Sequence, residues 1–146
     1  MAYEFKVVRR VEFSETDMAG IVHYANFFRF METAEHAFFR SIGFSIWTEQ
    51  VKPRVGWPRV HASCDYSMPL RFEDQVEIHL LVAKKKSKAI TYAFRFRKLS
   101  GKEAVEVARG ALTVVCVTHK NGVMKATKIP KVIADKIDTA PRSLLV

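Results

Sequence analysis

The segment from Ser14 to Phe39, SETDMAGIVHYANFFRFMETAEHAFF, sets one carboxylate, Asp17, just ahead of a glycine and a long apolar run. An aspartate is ionised at neutral pH, so Asp17 can act as base or nucleophile without special tuning. The run behind it has helical spacing. The first turn of a helix offers backbone N–H groups that have no partner within the helix and carry about half a positive charge. A carbonyl seated on those amides is polarised, and charge developing on its oxygen is stabilised as in an oxyanion hole. Gly20, between acid and helix, allows a backbone to approach a ligand closely. Together these parts can carry acyl transfer. On spacing alone a plainer role is the commoner one, because an Asp near a helix start most often caps it or closes a turn.

A second group is AKKKSKA, Ala83 to Ala89, between two alternating apolar runs. It reads either as a solvated hairpin whose lysines protect a sheet edge, or as a phosphate clamp in which each lysine acts as a point charge. The chain carries 24 Lys+Arg against 15 Asp+Glu, a net charge of +9, which suggests a polyanionic partner. Nucleic acid, an acidic membrane and a phosphorylated cofactor all qualify on composition. Glu32, inside the helical run, has a salt bridge or a solvated face as its commoner fate.

Several chemistries lack their parts. There is no Walker A loop, GxGxxG, HExxH, GxSxG or metal-spaced Cys/His set, so no metal or redox cofactor is expected. Cys64 and Cys116 lie far apart in apolar, strand-like runs and read as buried free thiols. No secretory signal is expected ahead of the first strand, and no apolar run reaches the roughly 18 residues of a spanning helix. A cytoplasmic protein without membrane contact is the expectation.

The elements that must hold these residues follow from periodicity. Residues 3 to 13 read as a first strand. From Tyr24 to Ile42, Phe27, Met31, Ala34, Phe38 and Ile42 recur at steps of three and four, one face of a helix, and Phe28, Phe30, Ala37 and Phe39 widen the stripe. Gly43 is placed as a left-handed cap, with Arg40 in the last turn. Residues 44 to 58 read as a loop. Four strands follow, Arg59 to Ser67, Gln75 to Ala83, Ala89 to Lys98 and Ala104 to Thr118, with a hairpin turn at Leu99 to Lys102. From His119 the tail is basic and turn-rich, with a short helix near Pro130 to Ile137. One domain over 1–146 results, a two-layer α+β arrangement of one long helix against an antiparallel sheet, in the order β-α-β-β-β-β.

The run VEFSETDMAGIVHYANFFRFMETAEHAFFRSIG resembles the signature of the 4-hydroxybenzoyl-coenzyme A thioesterase branch of the hotdog-fold superfamily. There a strand ends in D-x-x-G-I-V and leads through aromatic or His residues into the central helix. The likeness continues through CDYSMPLRFEDQVEIHLLV and covers about residues 5 to 130. It implies a curved antiparallel sheet around one central helix, in subunits that assemble as dimers or tetramers. By position, Asp17 matches the catalytic carboxylate and Tyr24 the residue whose backbone N–H polarises the thioester carbonyl. His23, adjacent, is a candidate to steer water or line the pocket. Lys84, Lys85, Lys86, Ser87 and Lys125 match contacts to the coenzyme A nucleotide, and Glu32 an acid near the acyl ring.

The expected activity is hydrolysis of an acyl-coenzyme A, or of an acyl-carrier-protein thioester, by a homo-oligomer, with coenzyme A as part of the substrate. The alternatives are a hotdog hydratase, whose His and acid motifs are missing, or a protein that binds acyl thioesters without turnover. From another class comes a basic nucleic-acid-binding module, against which the aromatics count by falling on presumed buried faces.

Overall fold

The long helix forms as α1, Asn26–Ser41, with Phe27, Phe30, Met31, Ala34, Phe38 and Phe39 buried and Arg29, Glu32, Thr33 and Arg40 exposed. It begins two residues later than its apolar spacing predicts. Asn26 and Phe27 donate N–H bonds to the carbonyls of His23 (2.9 Å) and Tyr24 (3.3 Å), so Tyr24 sits in a turn that leads into the helix. At the other end Gly43 takes φ +93°, Gly43 N–H donates to Arg40 O and Phe44 N–H to Phe39 O. That is the Schellman closure, which only a residue free of Cβ strain adopts easily, and buried Phe44 packs behind it.

In the computed structural model, which describes all 146 residues, α1 is wrapped by a five-stranded antiparallel sheet. Its strands are β1 (Glu4–Arg10), β3 (Arg59–Tyr66), β4 (Gln75–Lys85), β5 (Ala89–Ser100) and β6 (Glu103–Val115). Their order across the sheet is β1-β4-β5-β6-β3, with β3 paired to β6 alone and so free along its other edge. A second sheet joins β2 (Val55–Gly56), β7 (Val117–Lys120) and β8 (Val123–Ala126). The curved sheet around one helix is the hotdog arrangement that the sequence resemblance implies.

Alternation explains the core. Val76, Ile78, Leu80 and Val82 on β4 face α1 together with Ile90, Tyr92, Phe94 and Phe96 on β5. Each fully buried Phe or Leu contributes about 1.5–3 kcal/mol over its exposed state. Gly110 in β6 is a close approach: a methyl there would fall 2.8 Å from Met31 Sδ and closer still to its Cε. Met31 is fully buried, so its thioether end must repack within the core to make room. Gly110→Val is therefore expected to destabilise the protein by about 1–3 kcal/mol, read as a lower urea midpoint, and Met31→Ala in that background to recover part of the loss.

Three expectations change. The first strand stops at Arg10, and Phe13–Glu15 forms a 3₁₀ turn. The last predicted strand breaks at Cys116, where the chain leaves the large sheet and pairs Val117 and Thr118 with Gly56 and Val55. The tail is more ordered than its turn content suggests. It holds the β7–β8 hairpin, the predicted short helix as α2 (Lys131–Ala134), and α3 (Arg142–Leu145). It returns over the outer face of the sheet, where Ala140 N–H donates to Val82 O (2.8 Å) and Arg95 Nη2 to Leu145 O (3.0 Å). Leu81, with its side chain on that outer face, is buried as a result.

Candidate active site

Asp17 lies in a tight loop between β1 and α1. Thr16 and Val22 bridge across it, Asp17 N–H donates to Ile21 O (2.9 Å), and Gly20 N–H donates to Asp17 O (2.9 Å). Asp17 Oδ1 accepts the Ala19 N–H at 2.9 Å, an Asx turn that orients the carboxyl, and Oδ2 has no protein partner. The turn role and the chemical role are thus compatible, since one oxygen holds the geometry while the other is free. Gly20 has φ +80° with open space where a Cβ would stand. The positive φ by itself favours glycine here, and the open side leaves room for the close ligand approach expected of it.

Beside Asp17 is a hollow of about 560 Å³, walled mainly by apolar groups: Ile21, Val22, Tyr24 and Phe27 on one side, Tyr66, Met68 and Leu70 on the other. Val22 N–H donates to Leu70 O (2.8 Å) and Tyr66 Oη to Tyr24 O (3.0 Å), tying the two walls together. Partial burial and the neighbouring Cys64 raise the Tyr66 phenol to about 12, so it remains a donor at neutral pH. Phe27 meets Tyr66 edge-on with ring centres 5.0 Å apart. The amide of Ala25 donates to His23 Nδ1 (3.2 Å), whereas that of Tyr24 has no hydrogen-bond acceptor in the chain. Asp17, with one carboxyl oxygen unpartnered, and Tyr24, with its amide unpartnered, therefore line one apolar hollow.

His23 is not part of its wall. It stacks on Tyr24 with centres 4.6 Å apart, and with Nδ1 accepting, the neutral ring carries its proton on Nε2. Its visible action is to brace the turn that carries the Tyr24 amide. Glu32 faces solvent on α1, away from the hollow.

The basic run lies elsewhere. Lys86 N–H donates to Ala89 O (2.8 Å), closing the β4–β5 turn, and Ile129 N–H donates to Ser87 O (2.8 Å), bringing the end of the β8 segment that carries Lys125 to the same end of the sheet. Lys84, Lys86 and Lys125 are exposed there. Lys85 differs from its neighbours: its Nζ donates to Ala134 O (2.8 Å) and Ile137 O (2.7 Å), so it holds α2 in place and is removed from the set of solvent-facing cations. The Asp17 loop adjoins the start of β4, because Val11 N–H donates to Asp74 O. From Gln75 to Lys85 the strand runs roughly 33 Å, so within one chain the lysines and Asp17 are at opposite ends.

Sequence reading passes over Tyr66, Met68, Leu70 and Arg71, which close the hollow, because nothing in the local pattern of a strand end marks them. It also passes over Glu35. This side chain on α1 is fully buried, ion-paired to Arg59 on β3, with Oε2 lacking any partner. Burial, outweighing Arg59, raises its carboxyl to about 7.

A curved antiparallel sheet wrapped around one long helix, with an apolar hollow beside the loop that leads into that helix, defines a hotdog protein. The chain belongs to the thioesterase-like superfamily, whose family model matches residues 11–137. A relative from Aquifex aeolicus (strain VF5), assigned by name to the esterases, is 36% identical over 127 residues, covering 87% of this chain and 92% of its own. A gentisyl-coenzyme A thioesterase structure is 30% identical with a TM-score of 0.76, covering 89% of this chain and 99% of its own. A 4-hydroxybenzoyl CoA thioesterase solved with 4-hydroxybenzoyl CoA superposes at a TM-score of 0.85 over 92% of this chain and 99% of its own. At 20% identity that last likeness is one of fold.

Proposed function

We propose that the protein hydrolyses acyl-coenzyme A thioesters, with the thioester carbonyl held between Asp17 and the Tyr24 amide. The observation that carries this reading is that Asp17, with its Oδ2 free, and Tyr24, with its N–H unpartnered, line the same apolar hollow. The amide stabilises the oxygen as it gains charge, and Asp17 either attacks the carbonyl or takes a proton from water. The proposed reaction uses Asp17, the Tyr24 amide and water, and calls on no metal or redox cofactor. Family membership and the thioesterase names of the relatives support the reaction class. The test is thiol release from a panel of short, long and aromatic acyl-coenzyme A thioesters; no release from any member defeats the reading.

Coenzyme A phosphates are assigned to Lys84, Lys86, Ser87 and Lys125 as a cluster on a second copy of the chain. Support comes from distance, since a strand of roughly 33 Å separates that cluster from Asp17 within one subunit. It also comes from the free edge of β3, where Val60, His61 and Ala62 are exposed, a surface that a second copy would pair and cover. The free cysteines suit a reducing, cytoplasmic compartment.

Lysines 84 and 85 separate the two roles. Lys84→Glu with Lys86→Glu is expected to raise KM for acyl-coenzyme A on the order of tenfold, most strongly at low salt, with little change in melting temperature. Lys85→Ala is expected to do the reverse, lowering stability by about 1–3 kcal/mol through loss of two charge-assisted bonds to the α2 segment.

A further inference from the structure

Arg71 is the one cation in the wall of the Asp17 hollow. It also lines a neighbouring hollow of about 380 Å³ that contains Lys98, Ser100 and Glu103, so it stands on the ridge between the two. Its backbone N–H donates to Asp74 Oδ2 (2.8 Å), which fixes the turn beneath it. Its guanidinium has no ion pair and no hydrogen bond. Asp74, three residues further on, is engaged by Lys98 at 3.5 Å. Asp17 and Arg71 are therefore both open to a ligand in a cleft whose remaining wall is mostly apolar.

That arrangement has an electrostatic consequence. A substrate bearing an anionic group near the reacting carbonyl is repelled by ionised Asp17, and only Arg71 among the lining residues offsets the repulsion. A guanidinium also offers a planar fork that matches two oxygens of a carboxylate or phosphate, which a solvated lysine does not. We infer that Arg71 receives an anionic oxygen group of the bound thioester, a carboxylate or a phosphate, and selects for substrates that carry one beside the acyl pocket. This rests on the thioesterase reading above. Two sources share the chemistry: a carboxylate on the acyl chain, or a phosphate of the coenzyme A.

Arg71 is exposed, so Arg71→Gln and Arg71→Lys are expected to fold. The experiment compares kcat/KM of wild type and both variants on glutaryl-coenzyme A, valeryl-coenzyme A and valeryl-pantetheine. If the anion is an acyl carboxylate, Arg71→Gln lowers the glutaryl-to-valeryl ratio on the order of ten- to a hundredfold, and Arg71→Lys restores part of it. If it is a phosphate, the ratio that falls is that of valeryl-coenzyme A to valeryl-pantetheine. Neither ratio moving overturns the inference. A wild type that hydrolyses neither these three nor any member of the short, long and aromatic panel above defeats the thioesterase reading instead. Arg71 is then read by calorimetry with the non-hydrolysable thioethers S-(4-carboxybutyl)-coenzyme A, S-pentyl-coenzyme A and S-pentyl-pantetheine, where unchanged affinity ratios in Arg71→Gln overturn it equally.

Discussion

Asp17→Asn is expected to cut thiol release on the order of 10²- to 10⁴-fold, the range a positioned base or nucleophile supplies, while moving the melting temperature by no more than about 2 °C. Asparagine keeps the oxygen that accepts the Ala19 N–H, so the Asx turn and the bonds closing the loop survive. What is lost is the charge and the second oxygen. The measurement is steady-state turnover beside a thermal melt of the same preparation. A variant that retains turnover removes Asp17 from the chemistry, and one that unfolds shows that the turn needs the charge. If Asp17 acts as a nucleophile, rapid quenching of the wild type shows a burst of acylated enzyme equal to the active sites; a general base gives none.

The second large effect is one of stability against pH, at Glu35. Burial holds this carboxyl at about 7 against its ordinary 4.5, with the attraction and hydrogen bond of Arg59 pulling it down and Glu32 pushing it up by smaller amounts. Between those values the native protein keeps a proton that the unfolded chain has released. The contribution of Glu35 is therefore most favourable below pH 4.5 and is lost as pH rises through 7, a change of about 3 kcal/mol. His79 and His36 act with the opposite sign. Burial lowers both, so the unfolded chain takes protons that the native rings refuse, and stability falls as pH drops below 6.5. Glu35→Gln separates the two. Urea unfolding of the variant is expected to exceed wild type by about 3 kcal/mol at pH 8 and by about 1 kcal/mol or less at pH 5. A variant less stable than wild type at pH 8 would mean that the Glu35–Arg59 pair is net stabilising. Tyr92, fully buried near the pair with an unpartnered hydroxyl, is pushed well above its usual range by burial and does not titrate in this window.

The elements were legible wherever a face is buried, because burial imposes a period. The spacing of Phe27, Met31, Ala34 and Phe38 and the glycine at 43 mark α1 and its end, and the alternation in β4 and β5 marks the sheet. The break at Cys116 was not legible. Val114 to Val117 is a continuous apolar run whether or not the chain changes sheets, and the change is decided by pairing with β2, some sixty residues earlier. The site divides in the same way. Asp17, Gly20 and Tyr24 are close in sequence, so a motif can carry them.

Their surroundings depend on segments that only folding brings together. Tyr66 reaches the Tyr24 carbonyl across 42 residues, and Lys85 reaches the carbonyls of Ala134 and Ile137 across 49 and 52. By itself, then, the sequence carries the two-layer α+β class and the acid set ahead of the long helix through local period and spacing, while the resemblance of its motif names the curved fold and the role expected of that acid. The tertiary structure alone decided which lysine is internal, which arginine stands unpaired in the hollow that Asp17 lines and which glutamate is buried. Each of those is a statement about distance between parts of the chain that no local pattern relates.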